Sequence, residues 1–269
     1  MRPTTSALAT CLALASALAC ETSSTGRHQL ILVSDAELEM QANAAYDQMR
    51  AELPISKDAA KTNYVLCVSN AVTAVLPSSA PVRWDVTLFE NEAANAFALP
   101  GAKIGVYTGL LDVAANQHQL AAVIGHEIAH VLERHANERA SGNIAAGTAV
   151  LIGTEVLAGG KSAETKDATQ QVLGAGIQVV GILPYSRAHE SEADVLGLDL
   201  MARAGFDPRE APKLWENMAA ASQGAPPEFL STHPSHGTRI ADLQKRLATA
   251  MPLYEQARAA GRRPACKKP

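Results

Sequence analysis

Residues 126–130 read His-Glu-Ile-Ala-His, and they stand inside a run of apolar residues and strong helix formers, Leu120-Ala-Ala-Val-Ile-Gly-His-Glu-Ile-Ala-His-Val-Leu132. This segment constrains the fold more than any other. Four positions make about one helical turn, so a helix here places His126 and His130 on one face, where both can grip a single ion. Glu127 lies one step round the helix, within reach of a water at that ion. Two imidazoles suit Zn²⁺, and the carboxylate suits taking the proton from an attacking water.

Hydrolytic zinc needs a third protein ligand and one open position. The candidate is Glu190, in Tyr185-Ser-Arg-Ala-His-Glu-Ser-Glu-Ala-Asp194. Glu190 and Asp194 share a helical face. Glu190 can therefore reach the ion while Asp194 accepts a hydrogen bond from the far ring nitrogen of a ligating histidine. Glu192 points about 160° away from Glu190 by helical geometry and is expected in solvent. His135 and His189 fall off the metal-facing sides and are expected to be structural or solvated.

The chain has 269 residues, 47% hydrophobic and 19% charged, with net charge −4. That is enough for one substantial domain or two small ones, and it leaves no electrostatic footprint for nucleic acid. The one basic cluster, Arg262, Arg263, Lys267 and Lys268, reads as a solvated tail. Arg2 followed by the uncharged run Ala7–Ala19 reads as a secretory signal peptide over residues 1–19, too short to span a bilayer comfortably. Ala17-Leu18-Ala19 fits an ordinary cleavage site. Ala19-Cys20 also resembles a lipoprotein junction, which would make Cys20 the lipid anchor, residues 20–33 a polar tether and the outer membrane the attachment surface. Export leaves Cys67 and Cys266 as an even pair in an oxidising compartment, and a disulfide between them is expected, with two free thiols as the alternative.

Periodicity predicts helices over 34–53 and 58–76, then strands at Val82–Phe89, Asn95–Leu99 and Lys103–Thr108. These strands predict a small antiparallel sheet ahead of the metal helix, which is expected over 117–137. The outer strand, with Asn95, Ala96 and Phe97, is a candidate for pairing with an extended substrate. Residues 145–157 and 172–183 are apolar, and read as buried helices, with a mobile lid or a surface that touches lipid or substrate as the alternative. Helices are expected again over 186–204, 208–221 and 236–258. The catalytic domain is thus expected over 34–258, in an α+β fold dominated by helices, with 259–269 as a tail.

These motifs together resemble the gluzincin metallopeptidases related to the CAAX prenyl protease, and more closely their soluble bacterial members. The likeness rests on His126-Glu-x-x-His130 followed by Ser186-Arg-x-x-Glu190-x-Glu-Ala-Asp194-x-x-Gly197. Asn95-Ala-Phe-Ala-Leu-Pro-Gly101, Tyr107-Thr-Gly-Leu-Leu111 and Thr232-His-Pro-x-x-x-x-Arg-Ile240 agree with it, in order, across about residues 34–250. Ala102 departs from it, standing where relatives often have a second glycine. The resemblance implies a zincin-like catalytic domain, one Zn²⁺ with Glu190 as third ligand, and His233 facing the site. His233 would then bind the oxyanion of the tetrahedral intermediate or cap the zinc at rest, and Arg239 would position His233 or the intermediate's charge. It also implies a periplasmic protease acting on unfolded or misassembled envelope proteins. A holdase with a structural zinc site, and a hydrolase of non-peptide bonds, are the competing readings.

Overall fold

The computed structural model describes residues 20–158, 185–221, 228–233 and 237–269. The signal-peptide reading over residues 1–19 and the apolar run at 172–183 lie outside them, whereas residues 145–157 belong to a helix. The described residues group into two compact units: one takes in residues up to Leu38 and from Ala136 on, the other runs over Glu39–His135 and from Tyr185 to Pro269.

In the smaller unit, β1 (Cys20–Thr22) pairs antiparallel with β2 (His28–Leu30). The stretch read as a tether is therefore folded in part. Arg27 makes a two-pronged ion pair to Glu138 (2.6 and 2.7 Å), the geometry that makes arginine–carboxylate contacts specific. Ser141 Oγ accepts from Leu32 N at 2.7 Å. Val33 and Leu38 pack on Ala136 and Ala140.

Helix α1 (Asp35–Glu52) starts where Ser34 Oγ accepts from Glu37 N and stops just before Pro54, which supplies no amide to continue it. Helix α2 (Ala59–Thr73) is capped by Asp58, which accepts from the amides of Ala60 and Lys61, and it buries Tyr64, Val65, Val68 and Val72 at helical spacing. It carries Cys67, which forms the expected disulfide with Cys266 across 199 positions of sequence. The C-terminal tail is thus fixed, and Gln117 adds a hydrogen bond to Cys266 N (2.8 Å).

Strands β3 (Asp85–Phe89), β4 (Ala96–Leu99) and β5 (Lys103–Tyr107) form a sheet ordered β3-β5-β4. The sheet is mixed rather than antiparallel. β4 and β5 form an antiparallel hairpin around Pro100-Gly101, but β3 runs parallel to β5 on its other side. Alternation identifies a strand without naming its neighbour. Ala102 takes φ 59° in the hairpin turn, after Gly101 at φ 82°, a backbone region that costs a residue with a Cβ more than it costs glycine.

Asn116 caps α4 (Gln117–Leu132) by accepting from the amides of His118 and Gln119, and every residue from Gln119 to His130 is buried. The helix does not run on to residue 137. Arg134 takes φ 54°, which breaks the helical path, and α5 (His135–Ala158) begins at the next residue. Helices α6 (Arg187–Arg203), α7 (Glu210–Ala221), α8 (Glu228–Thr232) and α9 (Arg239–Ala259) complete the fold. The ligand-bearing helices α4 and α6 touch backbone to backbone. A Cβ on Gly125 would lie 2.7 Å from Gly197 O, and one on Gly197 would lie 2.6 Å from His126 N. Only glycine at both places permits so close an approach. Among the described residues no helix is long and apolar enough to cross a membrane.

Candidate metal centre

Helix α4 turns the His126 and His130 side chains toward α6, and their Nε2 atoms lie 3.1 Å apart. Glu190, on the first turn of α6, places Oε2 3.5 Å from His126 Nε2 and Oε1 3.4 Å from His130 Nε2. His233, just past α8, brings Nδ1 to 3.3 Å from His126 Nε2 and 3.0 Å from Glu190 Oε1. One donor atom from each of these four residues falls within a 4.8 Å span, and all four side chains are buried.

The donor set fits a cation. Donors held about 2.0–2.1 Å from tetrahedral zinc stand about 3.3 Å from one another, close to the spacings here. The far nitrogens of both α4 histidines are engaged elsewhere: His126 Nδ1 lies 3.0 Å from Asp194 Oδ1, and His130 Nδ1 lies 2.8 Å from His135 Nδ1. Two Nε2 lone pairs then face each other and a carboxylate, an arrangement that a divalent ion makes favourable. Among the described residues this is the one cluster able to hold such an ion.

The charges follow from burial and pairing. Burial opposes a charge on His126, but hydrogen bonds to Asp194 and Glu190 outweigh it and raise its pKa to about 9. His130 has the opposite balance, with burial dominant, and falls well below the usual imidazole range. Burial also works against the Glu190 carboxylate, yet contacts with His126, His130 and His233 win, and its pKa lies well below the ordinary carboxylate range. Glu127 goes up, chiefly because it is buried. Its Oε2 accepts from Ala98 N at 3.3 Å, while Oε1 has no hydrogen-bond donor among the described residues and lies 3.4 Å from His233 Nε2.

Among the described residues, strand β4 is the end strand of its sheet, beside this site. Tyr107 N bonds Asn95 O, so in the antiparallel ladder Asn95 and Phe97 turn their main-chain groups to β5, while Ala96 and Ala98 turn theirs outward. The Ala98 amide aimed at Glu127 shows that direction. Ala96 and Ala98 therefore offer the main-chain edge, rather than Asn95 and Phe97. The Phe97 ring packs with Phe89 and Tyr107, and it fills the space where a Cβ on Gly105 would stand.

A model of peptidase family M48 matches residues 59–247. The chain belongs to that family. The M48 chain is 36% identical over 191 residues to the mitochondrial metalloendopeptidase OMA1 of Schizosaccharomyces pombe, covering 70% of this chain and 54% of that protein. It is 30% identical over 242 residues to the human mitochondrial metalloendopeptidase OMA1 (86% and 46%). It is 32% identical over 204 residues to the beta-barrel assembly-enhancing protease of Yersinia pestis (74% and 41%). The chain spans about half the length of the curated relatives it matches.

Three side chains of the M48 site have partners that their sequence-based readings did not name. Arg239 meets Asp194 and Glu190. It lies behind the donors, 2.7 Å from Asp194 Oδ1 and 3.3 Å from Glu190 Oε2, with its guanidinium 3.4 Å from the Trp215 ring centroid. Glu192 is buried rather than solvated and sits 2.9 Å from His135 Nε2. His135 itself is fully buried against His130. Sequence reasoning also missed Trp215, and Tyr185, whose ring stacks on His130 at 4.0 Å. No periodicity marks these residues; the nearest signal is the spacing of His135, five places after His130.

Proposed function

We propose that this chain is a zinc-dependent metalloendopeptidase of the bacterial cell envelope that hydrolyses unfolded or misassembled envelope proteins. The carrying observation is the buried donor set of His126, His130 and Glu190 with the buried Glu127 carboxylate beside it. Family membership and the bacterial relative named for β-barrel assembly support the setting. Two histidines and a glutamate are a hydrolytic zinc set, which favours Zn²⁺ over harder cations.

Bound there, the ion supplies Lewis-acid chemistry, acidifying water and polarising the scissile carbonyl. Glu127 does the proton work. Its burial raises its proton affinity, and its place beside the donor set suits it to take the proton from the attacking water and hand it to the leaving amine. The Ala98 amide steadies Oε2 and leaves Oε1 for that task. Asp194 accepts from His126 Nδ1–H and fixes that ring's tautomer. Arg239, clamped between Trp215 and the two carboxylates, holds Glu190 and Asp194 in place. Ala96 and Ala98 pair with an extended peptide backbone along β4.

His233 takes a fourth donor position, which favours a resting site capped by its own side chain. Displaced by substrate, it is placed to hydrogen-bond the developing oxyanion. A capped centre also fits the competing reading of an assembly factor whose zinc is structural. Glu127→Gln separates the two. Retained zinc with casein cleavage reduced about 10²–10⁴-fold is expected of a peptidase, and undiminished cleavage refutes the assignment. Rescue of an envelope-assembly defect by Glu127→Gln as complete as by wild type would favour the assembly factor. For the lipid anchor at Cys20, mass spectrometry of the mature N-terminus is the test, and an unmodified Cys20 removes it.

A further inference from the structure

Beyond the three ligands and Glu127, a buried chain of side chains runs outward from His130. His130 Nδ1 is 2.8 Å from His135 Nδ1, and His135 Nε2 is 2.9 Å from Glu192 Oε2. His135 and Glu192 are at most a few percent exposed. We propose that His135 and Glu192 form a positioning relay that fixes the tautomer and orientation of His130 for metal binding, resting on the zinc assignment above.

The argument is one of hydrogen direction. A carboxylate oxygen can only accept, so the His135 Nε2–H donates to Glu192. In a neutral imidazole the other nitrogen is then an acceptor, and His135 Nδ1 receives the Nδ1–H of His130. That leaves the proton of His130 on its outer nitrogen and the Nε2 lone pair facing His126 and Glu190. The reverse tautomer would put a hydrogen on His130 Nε2, where it cannot ligate. The planes are held as well: Tyr185 stacks on His130 at 23°, and His189 stacks on His135 at 24° with centroids 4.5 Å apart. His126 reaches a carboxylate directly through Asp194, whereas His130 reaches one through an intervening imidazole. Outer-shell partners of this kind are worth about 10–100-fold in metal affinity.

The test measures zinc affinity by chelator competition on folded protein, with the unfolding midpoint of the metal-free form as a check on folding. In His135→Asn the side-chain oxygen stands where Nδ1 stood and still accepts from His130, so affinity stays within a few-fold of wild type. In His135→Leu the acceptor is gone, and affinity falls about 10–100-fold. Glu192→Gln keeps the shape but removes the charge that sets the direction, and zinc binding weakens there too. Wild-type affinity in His135→Leu or Glu192→Gln, or equal losses in His135→Leu and His135→Asn, overturns the relay. Should the wild-type protein itself bind no zinc in the same assay, the metal assignment fails instead.

Discussion

Gly197→Ala tests whether the site depends on how closely its two helices pack. The new Cβ would sit 2.6 Å from His126 N, 2.8 Å from His126 Cα and 2.9 Å from Gly125 C, whereas ordinary contact begins at 3.4 Å. These are backbone atoms of a buried helix and cannot swing aside, so α6 must retreat from α4 by about 0.8 Å. Glu190 rides on α6 and its oxygens already stand 3.4 and 3.5 Å from the two Nε2 atoms, so that retreat opens the donor set on one side. A misplacement near 1 Å costs about 10²-fold in a reacting geometry, and a loss of that size is expected in both zinc affinity and casein cleavage. Global stability is a poor readout. Overpacking costs about 1–3 kcal/mol, while replacing a mid-helix glycine with alanine returns about 1 kcal/mol. Chelator competition at matched folding is therefore the assay. Gly142→Ala in α5, where an added Cβ meets nothing within 4 Å among the described residues, is the control and should leave zinc binding unchanged. Wild-type affinity in Gly197→Ala refutes the claim that this contact sets the ligand geometry.

Replacing Cys67 and Cys266 together with serine frees a loop of 199 residues and should lower unfolding stability by up to about 5 kcal/mol in the chain-entropy account; a denaturant midpoint indifferent to reductant would contradict it. His118 supplies a pH dependence. Burial, opposed by Asp207 and Glu210, lowers its pKa below 6.5, and its Nδ1 accepts from Asp207 N at 3.0 Å. Its contribution is therefore complete above pH 6.5 and is lost as the pH falls through the depressed folded value. Melting curves at pH 7.5 and at pH 5 should show a smaller drop for His118→Asn, which keeps an acceptor but does not titrate, than for wild type.

The inner site was legible because its spacing is helical. His126, Glu127, His130, Glu190 and Asp194 are written in steps that a single wheel can read, and the family motifs placed His233. The mixed sheet was less so. Yet Lys103-Ile-Gly-Val-Tyr107 carries four buried residues in succession where β4 alternates, which is how a strand covered on both faces differs from an edge. That contrast agrees with the central place of β5 in the sheet.

The outer shell was illegible for a different reason. A wheel assigns a residue to a side of its helix but does not say what covers that side. Glu192 falls opposite Glu190, and with solvent there it would be an ordinary surface acid. The chain instead leaves α4 through Arg134 in the left-handed region and restarts at His135, which brings an imidazole to the far side of α6. One short segment of α6 then faces two ways. Glu190 and Asp194 meet His126, and Glu192 reaches His130 through His135, so three acids in five positions serve both histidines of the motif. Removing the left-handed turn should release Glu192 from this role while leaving Asp194 in place. The two histidines therefore depend on different parts of the fold, His126 on the packing of α4 against α6 and on Arg239 of α9, His130 on the α4–α5 turn as well.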